Sequence, residues 1–261
     1  GVKRKILNFV EKLTYACATK IYPNSFGLKS IIIKEQFCTI SKLKVLANGS
    51  SNGIDTNSFN PANFSKEQNE ILRKELELDE EDFVFIFVGR LVADKGINEL
   101  LAAFKELQNP EVKLLLVGPL ETDLDPLLPE TLDEISNNKQ VITVGWKSDV
   151  RPYFAIADVL VFPSYREGFP NVVMQAGAMG LPSIVTNING CNEIIKEGIN
   201  GIFIPVKSSK AIYTAMRKLI ETKEYCKQLQ INTRAMIVNN YEQKVFWQAL
   251  LAEYKSLEKN V

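Results

Sequence analysis

Two cations follow a predicted strand of this chain at a position suited to an anionic ligand. Arg90 and Lys95 lie in the segment GRLVADKGI, after the apolar run DFVFIFVG and beside a predicted helix start at Ile97. Arginine offers a planar fork of donors, lysine offers a mobile point charge, and the N–H groups of a helix N-terminus also attract anions. The segment therefore predicts a diphosphate site, with two solvated loop cations as the alternative.

A carboxylate, Glu167, stands in the stretch REGFPNVVMQAGAMGLP, after the apolar run DVLVFPS. Gly168 and Pro170 predict a turn into a helix that ends near Gly180, because glycine permits unusual backbone angles and proline fixes φ in a first helical turn. Glu167 then either caps the helix dipole or faces a ligand rich in hydroxyl groups. Because parallel strands share one ligand edge, we expect Glu167 to lie near the two cations, which favours the ligand contact.

The residue types that are missing narrow the chemistry. The chain contains no histidine, which excludes Ser-His-Asp and Cys-His catalysis and a histidine-ligated metal within it. Its four cysteines form no C-x-x-C pair, which predicts reduced thiols in a cytoplasmic protein. The triplet Asp123-Leu124-Asp125 is an alternative metal site for a diphosphate, although its surroundings indicate an exposed loop.

Charge and motif content exclude further classes. Lys plus Arg and Asp plus Glu number 31 each, which argues against bulk attraction to nucleic acid or to an anionic membrane. No apolar run approaches the ~18 residues of a membrane span. The fingerprints G-x-G-x-x-G and G-x-x-x-x-G-K-[ST] do not follow any predicted strand, so neither a dehydrogenase nor a P-loop nucleotidase is supported.

The hydrophobic pattern predicts an α/β fold, a three-layer, doubly wound and Rossmann-like parallel sheet. Apolar runs covered on both faces alternate with amphipathic helices, which is typical of such sheets. The predicted strands are 82–89, 112–118, 140–145, 158–164, 182–186 and 201–206, and the helices between and after them are 97–108, 129–138, 150–157, 172–180 and 208–221. Ahead of this domain we expect a helix at 2–19, a short strand at 20–25 and a helix at 26–37; a helical tail follows at 224–259.

A linked set of segments carries a family resemblance. GRLVADKG, LLLVGP, YREGFPNVVMQAGAMGLPSIVT, GCNEII and EGINGIFIPV occur in this order. The chain resembles, over about residues 40–225, the carboxyl-terminal donor-binding domain of GT-B-fold family-4 retaining glycosyltransferases. The resemblance implies three regions: 1–40 as the end of an amino-terminal acceptor domain with its linker, 41–225 as the nucleotide-sugar domain, and 226–261 as helices that cross back.

The resemblance also implies roles for individual residues. Arg90, Lys95 and Glu167 would be the catalytic residues: the two cations would bind the donor diphosphate, and Glu167 would face the donor sugar. Trp146 and Lys147 would border the base, with a buried structural tryptophan as the alternative. Backbone N–H groups would be supplied to the sugar hydroxyls and the phosphate by the segment of Gly168, Phe169, Pro170 and Asn171.

Gln175 departs from the family pattern. It takes the place of the second glutamate of the E-x7-E motif, which usually holds the ribose hydroxyls. An amide oxygen accepts a hydrogen bond without the charge that strengthens a carboxylate's bond. The resemblance therefore implies that ribose recognition in this chain depends on an amide where the family uses a carboxylate.

The implied activity is transfer of a glycosyl group from a nucleotide-diphospho-sugar to a saccharide or lipid-linked acceptor, with retention and without a metal or other cofactor. The implied setting is polysaccharide, capsule or glycolipid assembly in the cytoplasm or at the cytoplasmic face of the membrane, with no nucleic-acid partner. Two alternatives stay open: a nucleotide-sugar 2-epimerase of the same fold, and a non-catalytic nucleotide-sugar-binding module. Neither the sugar nor the base follows from fold analogy.

Overall fold

A computed structural model describes residues 1–258 of the chain. This part contains one six-stranded sheet in the order β3-β2-β1-β4-β5-β6, and all neighbouring strands run parallel. The strands are β1 (Phe83–Val88), β2 (Val112–Val117), β3 (Val141–Gly145), β4 (Val159–Phe162), β5 (Ser183–Thr186) and β6 (Gly201–Ile204). The predicted fold class is confirmed.

Helices cover the sheet and flank it. They are α1 (Val2–Cys17), α2 (Phe26–Lys34), α3 (Lys66–Glu75), α4 (Ile97–Leu107), α5 (Pro129–Asn137), α6 (Arg151–Ala155), α7 (Asn171–Ala178), α8 (Cys191–Ile194), α9 (Ser209–Glu221), α10 (Lys223–Tyr241) and α11 (Gln243–Glu258). Within residues 1–258, none of them is long and apolar enough to cross a membrane.

The core explains why the central strands are apolar at consecutive positions. In β1, the side chains of Val84, Phe85, Ile86 and Phe87 are fully buried, so both faces of the strand are covered. The β1–α4–β2 and β4–α7–β5 crossovers run in opposite directions along the sheet, so right-handed connections place α4 and α7 on opposite faces. Helix α9 packs beside α4, and α10 packs beside α7.

The interior of α7 is thin where α10 crosses it. Gly177 lies so close to α10 that an added Cβ would be 2.6 Å from Cγ1 of Ile237. The alanine and glycine content of this helix therefore serves helix packing as well as the site at its beginning.

The flanking segments follow the sequence in part. Helices α1 and α2 were expected, but residues 20–25 do not form a strand: in the described part they pair through a single bridge, between Ile21 and Leu43. A single bridge does not make a strand, because a strand is stabilised by a row of backbone hydrogen bonds to a neighbouring strand along its length. Helix α3 was not predicted, although the Ser65 and Gln68 capping box at its start is the local signal for it.

The tail is helical as expected up to Glu258, with a break at Glu242; Lys259 lies outside the described residues. Glu253 of α11 is buried, and its carboxylate accepts hydrogen bonds from Lys44 Nζ and, at 3.1 Å, from the Tyr22 hydroxyl. This contact joins the end of the chain to its beginning.

The sheet extends from the central pair β1 and β4 in both directions, with β2 and β3 on one side and β5 and β6 on the other. The chain is tightly packed just beyond this central pair. Gly96 lies immediately before α4 and has a left-handed φ of 74°; an added Cβ would lie 2.3 Å from the carbonyl oxygen of Pro163, just after β4. A side chain here would meet rigid backbone. The segments that follow β1 and β4 can therefore come this close only because residue 96 has no side chain.

We predict that Gly96→Ala destabilises the protein by about 3 kcal/mol or more, since left-handed strain and a backbone displacement add. Gly145→Ala is the matched control: Gly145 has a φ of 66°, but an added Cβ would meet nothing within 4 Å, so strain alone costs ~1–2 kcal/mol. Equilibrium unfolding in guanidinium chloride measures both changes. Equal costs at the two positions would contradict the close approach.

Candidate functional site

The site lies beyond the carboxyl ends of β1 and β4, where the sheet reverses direction. Lys95 Nζ lies 2.6 Å from Glu167 Oε1. The two side chains are only 18% and 15% exposed, respectively. Desolvation strengthens their mutual attraction, although it also makes an unpaired partner costly. The predicted approach of Glu167 to this cation is present in the structure.

Ser164 completes the surroundings of the Glu167 carboxylate. Its fully buried hydroxyl donates to Glu167 Oε1 at 2.7 Å. The Ser164 carbonyl in turn accepts a hydrogen bond from Thr186 Oγ1 at 2.5 Å. Glu167 is thus oriented by a side chain from the strand end, and this strand end is fixed by the neighbouring strand β5.

The helix-cap alternative for Glu167 receives no support. Within residues 1–258, its side-chain hydrogen bonds go to Lys95 and Ser164 rather than to the first amides of α7. Pro170 precedes that helix with φ near −76°. The buried Phe169 packs against the Tyr241 ring at a centroid distance of 5.6 Å. The loop therefore anchors itself with Phe169 and leaves Gly168 and Asn171 exposed.

The second predicted cation, Arg90, follows β1 but forms a different contact. Its Nη1 lies 2.9 Å from Glu121 Oε2, in the loop after β2, and the arginine side chain is 51% exposed. The structure does not place it in contact with Lys95 or Glu167 within the described residues. Arg90 is consequently free to reorient at low cost, because an exposed ion pair contributes little.

The remaining charges around the site are paired locally. Asp94 accepts from Arg166 at 3.3 Å, and its backbone N–H donates to Asp125 Oδ2 at 2.5 Å. Asp125 thus closes the loop after β1. Among residues 1–258, no three or more His, Cys, Asp and Glu side chains come together in a metal-binding arrangement.

Two neighbouring groups are kept protonated. Burial raises the pKa of the Cys191 thiol to about 12, and the nearby Glu167 carboxylate raises it as well. Burial and the hydrogen bond to Glu99 raise the pKa of Tyr165, whose hydroxyl lies 2.7 and 2.8 Å from the two carboxylate oxygens. Neither group is therefore an ionised nucleophile near neutral pH.

Trp146 and Lys147 follow the edge strand β3, two strand positions away from β1. Trp146 is 70% exposed, so its alternative role as a buried structural residue is wrong. Lys147 Nζ lies 5.8 Å from the centroid of the Tyr153 ring. An exposed aromatic face at this edge can stack on a planar ring.

Gln175 lies one turn into α7 and is half-buried. Its side chain forms no hydrogen bond within the described residues, whereas its backbone carbonyl accepts from Met179 at 3.0 Å. The amide is therefore available to a ligand.

Sequence reasoning did not single out Ser164, Glu121 or Asn189. The Asn189 Nδ2 donates to the carbonyl oxygens of Glu167, at 3.3 Å, and Gly168, at 2.7 Å. Only the position of Ser164, at the end of a buried run and three residues before Glu167, was a signal available in the sequence.

Comparisons with known proteins identify the family of the chain. The family model described as Glycosyl transferases group 1 matches residues 68–236, more than half of the chain. The chain is 33% identical over 266 residues to the capsular polysaccharide biosynthesis glycosyltransferase CapM of Staphylococcus aureus, covering 99% of this chain and 67% of the relative. It is 29% identical to an Escherichia coli UDP-Gal:alpha-D-GlcNAc-diphosphoundecaprenol alpha-1,3-galactosyltransferase, covering 92% and 62%.

A solved structure gives the same fold. HepE of Anabaena, determined in complex with UDP, matches with a TM-score of 0.82 at 21% identity, covering 92% of this chain and 64% of that one. The chain thus spans about two thirds of the length of these proteins. Its sheet is a GT-B-type Rossmann-like domain, and the chain belongs to the family of group 1 glycosyl transferases.

Proposed function

We propose that this chain is the donor-binding half of a retaining glycosyltransferase that uses a nucleotide-diphospho-sugar. The half-buried Lys95–Glu167 pair carries the proposal, because it places a cation and a carboxylate that can bind hydroxyl groups together at the ligand edge of the sheet. Lysine has three donors, so Nζ can bind Glu167 and a phosphate oxygen at once. The carboxylate is then available to the sugar beside that phosphate.

The reaction passes through an oxocarbenium-like transition state in which the sugar–phosphate bond breaks early. Negative charge grows on the departing diphosphate, and Lys95 and Arg90 stabilise it electrostatically. The leaving phosphate accepts the proton of the acceptor hydroxyl. This route needs neither histidine nor a metal ion, which fits a chain without histidine.

Residues 1–40 belong, in this proposal, to the end of an acceptor domain and its linker. The two sides of helix α1 support this assignment. On the polar side, Arg4 and Asn8 donate hydrogen bonds to the Glu35 carboxylate. The apolar side is 51–76% exposed at Val2, Ile6, Phe9, Val10 and Leu13. An apolar helix face of this size normally packs against another body.

The acceptor is a saccharide or a lipid-linked saccharide. Two names support this class: the Staphylococcus aureus relative acts in capsular polysaccharide biosynthesis, and the Escherichia coli relative acts on a diphosphoundecaprenol-linked sugar. We propose that the protein works in polysaccharide or capsule assembly at the cytoplasmic face of the membrane.

Two other functions fit the same fold. A nucleotide-sugar 2-epimerase would convert the donor in the absence of any acceptor, so incubation with donor alone detects it. A non-catalytic binding module would bind the donor without transferring or hydrolysing it. The available amide of Gln175 favours retained donor binding in either case.

We predict that Lys95→Ala lowers transfer, or donor hydrolysis, by the full-length protein about 10²- to 10³-fold, because one preorganised charge is lost from the transition state. Arg90→Ala acts in the same direction but less strongly, since that side chain is half exposed and reaches the donor only after reorienting. The assay uses the donor selected by thermal shift from a panel of UDP-, GDP- and ADP-sugars.

Matched variants separate catalysis from folding. Arg217→Ala removes an exposed arginine that pairs with Glu221 and should leave the rate unchanged. The double variant Lys95→Met/Glu167→Gln avoids leaving a buried charge unpaired; it should melt near the wild-type temperature and still be inactive. Near-wild-type rates for both Arg90→Ala and Lys95→Ala would refute the assignment.

We predict that Gln175→Glu tightens donor binding by about tenfold, because a carboxylate holds the ribose hydroxyls more strongly than an amide does. Isothermal titration of the full-length protein measures this change. Gln228→Glu adds the same charge on the exposed surface of α10 and should leave the affinity unchanged. Equal affinities for Gln175→Glu and the wild type would place Gln175 outside the ribose contact.

A further inference from the structure

Asn189 connects two segments that are far apart in sequence. Its Nδ2 donates to the carbonyl oxygens of Gly168, at 2.7 Å, and Glu167, at 3.3 Å. Its Oδ1 accepts from the Ser25 hydroxyl at 3.1 Å. Both ends of one half-buried amide are therefore used, one on the donor loop 167–170 and one on the linker segment 25–27.

The orientation of this amide is fixed by its partners. Carbonyl oxygens only accept hydrogen bonds, so the NH₂ group must face Glu167 and Gly168. The Ser25 hydroxyl already accepts from the backbone N–H of Leu28, so its own proton is available for Oδ1. A flipped amide would lose both hydrogen bonds to these carbonyl oxygens, because its own oxygen would then face them.

Two glycines, Gly27 and Gly190, leave the space that Asn189 and the donor loop need for these hydrogen bonds. An added Cβ on Gly27 would lie 1.9 Å from Asn189 Oδ1. Gly190 has a φ of 78°, and an added Cβ there would lie 2.5 Å from the Gly168 carbonyl oxygen. The close fit of the donor loop, Asn189 and the linker segment is thus built into the backbone.

The same short stretch holds the linker segment a second time. The Glu193 carboxylate accepts from the backbone N–H groups of Phe26 and Gly27, both at 2.9 Å. The stretch 189–193 therefore holds residues 25–27 by three hydrogen bonds. Asn189 also bonds to the donor loop, so it fixes the position of that loop relative to residues 25–27.

We propose that Asn189 is a positioning residue that sets the backbone of the donor loop, and with it the direction of the Glu167 side chain toward the donor sugar. This inference rests on the proposed function. In the proposed function the Glu167 side chain faces the sugar, while the loop reaches the phosphate only through backbone N–H groups. Asn189 therefore affects binding of the nucleotide-sugar more than binding of the nucleoside diphosphate alone.

The test compares Asn189→Ala, Asn189→Asp and Asn192→Ala in the full-length protein. Asn192 is an exposed asparagine of the same stretch whose side chain bonds to Asn187. We expect Asn189→Ala to weaken binding of the panel-selected nucleotide-sugar about tenfold while the affinity for its nucleoside diphosphate changes less than about twofold. Asn192→Ala should match the wild type in both measurements.

Asn189→Asp distinguishes hydrogen bonding from shape. Aspartate has the same size but cannot donate, and its charge would face two carbonyl oxygens. We expect it to bind the nucleotide-sugar more weakly than Asn189→Ala does. A role in shape alone would give the opposite order and would overturn the inference, as would equal losses of nucleotide-sugar and nucleoside diphosphate binding.

Hydrogen exchange gives a readout that needs no donor. The amides of Tyr165 and Val173 lie on either side of the donor loop and donate to the carbonyl oxygens of Asp94 and Pro170. They should exchange about tenfold faster in Asn189→Ala than in Asn192→Ala, with unchanged melting temperatures. If no nucleotide-sugar of the panel binds the wild type, the proposed function fails while exchange still tests the positioning. Unchanged exchange in Asn189→Ala would overturn the inference even if the donor binds.

Discussion

The reversal of the sheet between β1 and β4 is the constraint on which the rest of the structure depends. Connections leave these two adjacent strands in opposite directions, so the space beyond their carboxyl ends is not filled by a crossing helix. The segments that carry Lys95 and Glu167 both enter this space. Gly96 lets them approach until backbone nearly touches backbone, which makes the pairing of the two charges a consequence of topology.

The Lys95–Glu167 pair is supported first by hydrogen bonds and, further away, by an aromatic contact. Ser164 orients the carboxylate, Thr186 fixes the Ser164 carbonyl, and the Phe169 ring holds the loop against Tyr241. Each support comes from a different element, so the site is more rigid than its loop residues alone would be. Both cations at this edge are paired with carboxylates, Lys95 with Glu167 and Arg90 with Glu121, and the chain as a whole carries a formal net charge of +0.

The front and the end of the chain are tied to this domain at two separate places. Tyr22 and Lys44 hold Glu253 of the last helix, while Ser25, Phe26 and Gly27 are held by Asn189 and Glu193. Because Asn189 also bonds to the donor loop, a movement of the linker segment would change the position of the Glu167 backbone. A continuous chain of hydrogen bonds runs from Ser25 through Asn189 to the carbonyl oxygens of Glu167 and Gly168.

The composition of the chain excludes histidine chemistry within it. The sequence by itself also determined the six strands, the helices α4, α5, α6 and α7 between them but not α8, and the shared edge of Glu167 and Lys95. These follow from local hydrophobic period and from the rule that parallel strands present ligands at one edge. It did not determine that Arg90 pairs with Glu121, that Trp146 is exposed, that residues 20–25 lack a ladder, or that Asn189 bridges two distant segments. The contacts in this set join residues far apart in the chain, and the exposure of Trp146 and the lack of a ladder at 20–25 depend on which distant segments pack nearby. Only the tertiary structure decided them.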